Sequence, residues 1–116
     1  MFGWLGELLK PPRWAVAVDE EWIRVADDAG ETRAIAKAAL VRVALETTDR
    51  GIEGMDHWWL LFGDDGRTAC VYPLGAEGEA AVADYLKALP GFDHGEMMKV
   101  MTSMSSAAAT VWSRGY

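Results

Sequence analysis

The first part of the chain alternates between apolar and polar residues with a period of two, which is typical of β-strands that bury one face. Two apolar stripes lie on either side of the acidic turn 19–21: Trp14, Val16 and Val18 before it, and Ile23 and Val25 after it. A second turn at 27–30, rich in Asp and Gly, leads to a weaker strand near residues 32–36. The pattern therefore predicts a β-hairpin followed by a third strand.

Residues 40–73 predict a further group of strands, although the segment that begins it is ambiguous. The stretch AIAKAALVRVALE has the propensity of a helix, but the residues at 41, 43, 45 and 47 alternate with Arg42, Ala44 and Glu46, so we predict a strand over 40–48. Residues 57–62 are apolar on both faces, which predicts a central strand covered on each side. The turn 63–66 then returns the chain to a strand that Pro73 ends.

After Pro73 the apolar residues recur with the period of a helix, and we predict two helices within residues 78–104. The second helix begins at Asp93, because Glu96 three residues later forms a capping box with it. The two apolar stripes consist of Val82, Tyr85, Leu86 and Leu89 in the first helix, and Met97, Val100, Met101 and Met104 in the second. The tail 109–112 fits a final strand or a helical extension, and we favour the strand.

Residues 1–12 predict a short helix with one apolar face, which ends at Pro11-Pro12. The apolar residues of this docking helix are Phe2, Trp4, Leu5, Leu8 and Leu9. We expect the helix to pack on its own domain or on a second copy of the chain. Membrane-surface association through the helix is the alternative, and it is disfavoured because the polar face offers only Glu7 and Lys10.

The order of the predicted elements indicates an α+β fold with a single domain over residues 1–116. Strands come first and helices afterwards, which is typical of an antiparallel sheet and differs from the alternating order of a nucleotide-binding fold. We predict a strongly bent antiparallel sheet of six or seven strands over residues 14–73 and 109–112, with the two helices packed against it. This is a pleckstrin-homology-like architecture.

Four short motifs carry a resemblance to a known family. They are TTD at 47–49, the WxL pattern at 58–60, VYP at 71–73 and LPGFD at 89–93, and they come before a Met-rich helix and a terminal Trp. Together they resemble a family of small bacterial proteins whose function is uncharacterised. The resemblance covers residues 14–112 and implies a bacterial, single-domain protein with a pleckstrin-homology-like core, and it transfers no catalytic residue.

The charge balance narrows the class of partner. The chain has 18 acidic and 11 basic residues, a net charge of −7 and a pI near 4.7. Nucleic-acid affinity rests on cationic residues that neutralise phosphates, so we expect no nucleic-acid partner, and an anionic membrane is disfavoured for the same reason. A protein partner with a basic surface remains compatible with this charge.

The cysteine content and the N-terminal sequence favour a cytoplasmic protein. Cys70 is the single cysteine and lies in the apolar run TACVY, which is typical of a small buried residue in a reducing compartment. The first residues lack the basic start and the long apolar run of a signal peptide. The sequence also contains no apolar stretch of about 20 residues that would span a membrane.

Few residues could carry catalysis. His57 and His94 are the two histidines, each follows an Asp, and they fall in different predicted elements. No CxxC, HExxH, GxSxG or Walker pattern accompanies them, so we expect no metal site, no cofactor and no catalytic residue.

The loop between the strands at 40–48 and 57–62 is the part of the chain that packing does not explain. We predict a binding patch formed by Asp49, Arg50, Asp56, His57 and an exposed Trp59. The leading hypothesis is a non-catalytic protein-binding module that binds a protein partner or self-associates as a homodimer. The alternative is a small hydrolase or ligand-binding enzyme in which Asp49, Asp56 and His57 provide the acid/base group.

Overall fold

The structure is a computed structural model that describes residues 13–49 and 55–115 of the 116-residue chain, without the side chains of Asp49, Met55 and Asp56. The predicted docking helix and Arg50 lie outside these residues. Within the described residues, the fold is α+β, with seven antiparallel strands in two sheets and two α-helices. The broad class expected from the order of the elements is therefore confirmed.

The first sheet contains three strands in sequential order: β1 (Ala15–Val18), β2 (Trp22–Ala26) and β3 (Thr32–Ala36). An Asp side chain builds each of its turns. The carboxylate of Asp19 accepts hydrogen bonds from the backbone N–H groups of Glu21 and Trp22, and these bonds hold the pKa of Asp19 below its ordinary value. The carboxylate of Asp27 accepts in the same way from Ala29 and Glu31.

The second sheet contains four strands in the order β6-β5-β4-β7. Their bounds are β4 (Arg42–Asp49), β5 (Met55–Phe62), β6 (Thr68–Pro73) and β7 (Ala107–Ser113). The last strand of the chain returns to pair with β4, with a bulge between Val43 and Ala44. The strand predicted over 40–48 is present but spans Arg42–Asp49, so it begins two residues later and ends one residue later than predicted. The final strand is longer than the predicted 109–112.

The two helices are α1 (Glu79–Lys87) and α2 (His94–Met101), and a 3-10 turn (Lys37–Ala39) joins the two sheets. The backbone N–H of Glu96 donates to the Asp93 side chain at 2.9 Å, which is the predicted start of α2. The helix ends at Met101, so Met104 does not continue its stripe and is 92% exposed. The Thr102 hydroxyl donates to the carbonyl oxygen of Met98 at 2.7 Å and accompanies this early end.

The segment before α1 completes the first sheet. The backbone N–H of Val16 donates to the carbonyl oxygen of Glu77 at 2.7 Å, and the N–H of Glu77 donates to the carbonyl oxygen of Trp14 at 2.9 Å. Gly78 follows with a φ of 82°, and a Cβ at this position would overlap the carbonyl oxygen of Val16. Glycine therefore permits the close approach that brings the first turn of α1 against the sheet.

One hydrophobic core fills the space between the two sheets and the two helices. In the second sheet, alternate residues of each strand face this core, and we call that side the inner face. Its fully buried side chains are Val43, Leu45, Trp59, Leu61, Cys70 and Tyr72. The opposite side, the outer face, carries Trp58, Leu60 and Phe62, which are only half-buried. The strand predicted to be covered on both sides is thus fully buried on one.

Candidate functional site

A groove runs between α1 and α2 above the inner face of β5, and it has a volume of about 300 Å³. We call it the helix groove. It is lined by Trp59, Leu74, Glu79, Ala80, Ala83, Asp84, Lys87, Met97 and Met101. Because these residues come from two helices, from β5 and from the connection that follows β6, the helix groove exists only in the folded chain.

Trp59 forms the floor of the helix groove. Its side chain is 1% exposed, and its indole N–H donates to Oε1 of Glu79 at 3.1 Å. The ring also packs against Phe92, with the ring centroids 6.4 Å apart. A buried indole N–H needs an acceptor, so the Glu79 carboxylate both satisfies Trp59 and fixes the first turn of α1 over the groove.

The walls of the helix groove are apolar and adaptable. Met97 and Met101 come from α2, and Leu74, which follows β6, is 38% exposed. Methionine side chains are flexible and polarisable, so they adjust to apolar groups of different shape. Just outside the groove, Met98 is 52% exposed and extends the apolar surface of α2. The helix groove can therefore accept an aliphatic or aromatic side chain.

Three charged residues line the helix groove. Glu79 and Asp84 are acidic and Lys87 is basic, so the groove carries an excess of negative charge. Asp84 is exposed, whereas Glu79 is half-buried and already accepts from Trp59. The exposed carboxylate at the rim is therefore the group that is available to a cationic ligand.

Two hydrogen bonds fix the C-terminal end of α2 beside the β4–β5 hairpin. The hydroxyl of Thr47 donates to the carbonyl oxygen of Val100 at 2.9 Å. Nε2 of His57 lies 3.1 Å from the carbonyl oxygen of Met101 and donates to it in the tautomer that carries the proton there. The end of the helix groove at Met101 is consequently close to the end of the hairpin, where Asp49 pairs with Met55.

The structure brings two of the predicted patch residues to this site. His57 and Trp59 alternate along the inner face of β5, and both contribute to it as structural groups rather than as exposed ones. The backbone of Asp49 and Asp56 is described but their side chains are not, and Arg50 lies in the undescribed segment 50–54. The binding patch and the acid/base alternative therefore stay predictions.

Sequence reasoning missed the residues that α1 and the β6–α1 connection supply to the site, above all Leu74 and Glu79. The Met-rich stripe of α2 is visible in the sequence, but the stripe alone does not show which of its residues line an opening. Met97 is indeed buried, while Met101 is half-buried and lines the groove. The signal for an adaptable groove in the sequence was a stripe that consists mostly of methionine on a helix that faces solvent.

A second crevice, of about 310 Å³, lies where β6 meets β2 and β3. Its acidic residues are Asp27 and Glu31, and the Asp27 carboxylate is occupied by two backbone N–H groups of its own turn. Cys70 lies at its floor, and burial raises the pKa of this thiol to about 11. The thiol stays protonated near neutral pH, which makes it a poor nucleophile.

In residues 13–49 and 55–115, no group of three or more His, Cys, Asp or Glu is placed to hold a metal ion. Neither helix of the described chain has the length and hydrophobicity needed to cross a membrane. Comparisons of the chain with known protein families, with curated proteins and with solved structures found no match.

Proposed function

We propose that this chain is a non-catalytic protein-binding module whose binding surface consists of the helix groove and the adjoining segment 49–57. The observation that carries this proposal is a groove of about 300 Å³ with an indole floor, apolar walls and an exposed carboxylate at its rim. Grooves of this kind suit an inserted apolar side chain better than a reaction, because their polar groups are few and lie at the edge.

The proposed ligand is a protein segment that presents an apolar side chain next to a basic residue. The apolar side chain fits against Trp59 and Met97, while the basic group faces Asp84. The net charge of −7 favours the approach of a basic partner, since complementary charge raises the association rate. A homodimer is the alternative form of this association, and it would present the same groove to a second copy.

We further propose a cytoplasmic protein of bacterial origin with a pleckstrin-homology-like core, related to the family of small bacterial proteins that its motifs resemble. The two antiparallel sheets and the helices that follow the first six strands support such a core. One strand does not follow the order of strands first and a closing helix last. This strand is β7, which comes after both helices and pairs with β4.

The groove can be tested by blocking it. Ala80 and Ala81 are neighbouring exposed residues in the first turn of α1, but only Ala80 lines the helix groove. We expect short synthetic peptides with a Leu flanked by Arg residues to shift the methyl signals of Met97 and Met101 in NMR spectra. The same peptides with Glu in place of Arg should bind more weakly. Ala80→Trp should abolish the shifts, and Ala81→Trp should leave them unchanged.

The unfolding midpoints of the two variants show whether a lost methyl shift reports a blocked groove or a damaged fold. Ala80→Trp and Ala81→Trp should both keep the unfolding midpoint of the wild type, because each replaces an exposed residue. Shifts that persist in Ala80→Trp would place binding outside the helix groove. If neither the Arg nor the Glu peptides shift any methyl signal, the proposed ligand chemistry is wrong.

A further inference from the structure

The outer face of the second sheet carries a continuous group of apolar side chains. Trp58, Leu60 and Phe62 lie on β5, and Val71, which is 36% exposed, lies beside them on β6. A shallow depression of about 280 Å³ lies next to this surface, past Leu60 and Phe62 as far as Ala108 on β7. Its lining also includes Arg42 and Glu46, and the guanidinium carbon of Arg42 lies 3.8 Å from the centre of the Phe62 ring. Neither described helix contributes to the lining of that depression.

Two polar atoms on this face are shielded from solvent. They are Nε1 of Trp58 and Oγ1 of Thr48, and neither has a hydrogen-bond partner among residues 13–49 and 55–115. A shielded donor without an acceptor is costly, and native proteins rarely leave one in that state. The outer face therefore needs a cover that brings hydrogen-bond acceptors with it.

The chain reaches the domain at this face. Trp14 packs edge-on against Trp58, with the ring centroids 5.6 Å apart and the planes at 81°. Residues 1–12 precede this contact directly, and they contain the apolar residues of the predicted docking helix. The outer face and the apolar segment thus meet at Trp14.

We infer that residues 1–12 cover the outer face of the second sheet, with the apolar side of the docking helix on Trp58 and Leu60. Ten helical residues span about 15 Å, which matches the width of four strands spaced about 4.8 Å apart. A helix that ends at Pro11-Pro12 leaves its last carbonyl oxygens without intrahelical partners. Because that end is next to Trp14, we assign one of these oxygens as the acceptor for the indole N–H of Trp58.

The tether favours this occupant over a second copy of the chain. A segment joined to the domain at Arg13 is present at an effective concentration in the millimolar range, whereas a second copy must compete at its own concentration. The net charge of −7, together with a polar side that offers only Glu7 and Lys10, disfavours an anionic membrane as the occupant.

The inference is tested on the full chain by hydrogen exchange of the tryptophan indole N–H groups, followed by NMR. Leu5→Asp combined with Leu8→Asp places charge on the apolar side, and we expect the Trp58 indole to exchange at least about tenfold faster because local opening becomes easier. The control is Glu7→Gln, on the polar side, which should change nothing. The Trp59 indole signal reports whether the fold stays intact. Val71→Asp is a milder second variant that should act in the same direction.

Light scattering and vesicle binding separate this cover from the other occupants. A monomer over the whole concentration range, together with faster exchange in the double variant, supports the inference. Unchanged exchange at Trp58 overturns it. A dimer that dissociates in the double variant overturns it in favour of a second copy, and co-sedimentation of the wild type with phosphatidylglycerol vesicles overturns it in favour of a membrane. Ala80→Trp should not affect this exchange, so the proposed function of the helix groove can be refuted independently of this inference.

Discussion

Trp58 and Trp59 are adjacent in β5, yet they experience different environments. Trp59 is fully buried on the inner face, and its indole N–H donates to Glu79. Trp58 is half-buried on the outer face, and its indole N–H has no partner within residues 13–49 and 55–115. One side of this strand is therefore completed by helices that follow it in the sequence, while neither described helix lines the depression on the other side.

The neighbouring threonines of β4 repeat the contrast. The hydroxyl of Thr47 is buried and donates to the carbonyl oxygen of Val100, whereas the hydroxyl of Thr48 is shielded and has no partner in the described chain. Thr47 pairs with His57 on the inner face, and Thr48 occupies the next position on the outer face. The contrast thus holds for the tryptophan pair and for the threonine pair. It does not extend to every residue of the sheet, because the hydroxyl of Tyr72 is buried on the inner face and also has no partner in the described chain.

The tryptophan pair provides the largest expected effect. We predict that Trp59→Ala lowers the free energy of unfolding by about 3–5 kcal/mol, because it leaves a cavity in the core and removes the donor that fixes Glu79. Trp58→Ala should cost roughly 1–2 kcal/mol, since a half-buried side chain loses less apolar contact. Urea denaturation followed by circular dichroism measures both values. Equal losses for the two variants would mean that the outer face is as well covered as the inner face.

The next effect concerns how α1 reaches the inner face. Gly78→Ala should lower the free energy of unfolding by on the order of 2–3 kcal/mol, because it combines an unfavourable positive φ with an overlap between the new Cβ and the carbonyl oxygen of Val16. The matched control is Gly75→Ala, which also has a positive φ but no atom within 4 Å of the new Cβ. It should cost about 1 kcal/mol.

Thermal and urea unfolding of both glycine variants provide the comparison. Since Glu79 follows Gly78 directly, the indole signal of Trp59 should also shift in Gly78→Ala and stay in place in Gly75→Ala. Similar losses in the two variants would show that the approach of Glu77 to β1 is not a tight contact in solution.

The sequence was sufficient to predict the local parts of this fold. The turns after β1 and β2 depend on Asp19 and Asp27, whose short side chains bond the backbone two to four residues later, and that chemistry can be read from composition. The alternation of β4 overrode the helix propensity of its alanines because one of its faces is buried. Both features act within a few residues of the chain.

The division into two sheets and the shape of the site could not be predicted in the same way. The pairing of β7 with β4 joins segments that are about sixty residues apart, and a period of two does not choose a partner strand. The helix groove depends on the separation between α1 and α2, which decides whether Met101 closes the core or lines an opening. Such distances follow from packing across the whole domain and leave no local pattern.

The contrast between Thr47 and Thr48 predicts smaller changes in the free energy of unfolding. Thr47→Val keeps the shape of the side chain and removes the hydrogen bond to Val100, so we expect a loss of about 1 kcal/mol in the free energy of unfolding. Thr48→Val should change this free energy by less than about 0.5 kcal/mol, because the described structure gives its hydroxyl no bond to lose. A cost for Thr48→Val that equals the cost for Thr47→Val would reveal a partner in residues 1–12 or 50–54.

A comparably small effect on stability, which depends on pH, concerns Cys70, whose neighbour Val71 lies on the outer face. Burial raises the pKa of the Cys70 thiol to about 11, so the folded chain holds this proton more tightly than the unfolded chain. The resulting stabilisation is complete below the pKa of the unfolded thiol and is lost as the pH rises towards the folded value. Between pH 8 and pH 9.5 we expect the wild type to lose about 1 kcal/mol more than Cys70→Ala does.

The reaction rates of thiols at positions 70 and 71 compare the inner face with the outer face. At neutral pH, Cys70 should react with an aromatic disulfide reagent on the order of 100-fold more slowly than the unfolded chain, because both burial and the raised pKa reduce the thiolate. The matched variant is Val71→Cys in the Cys70→Ala background, which moves the single thiol to the outer face at a position that is 36% exposed. It should react at least about tenfold faster than Cys70, because this position keeps part of its surface exposed. A reaction at position 71 that is as slow as the reaction at Cys70 would mean that the outer face is sealed as tightly as the inner face, and a fast reaction at Cys70 would mean that the inner face opens readily.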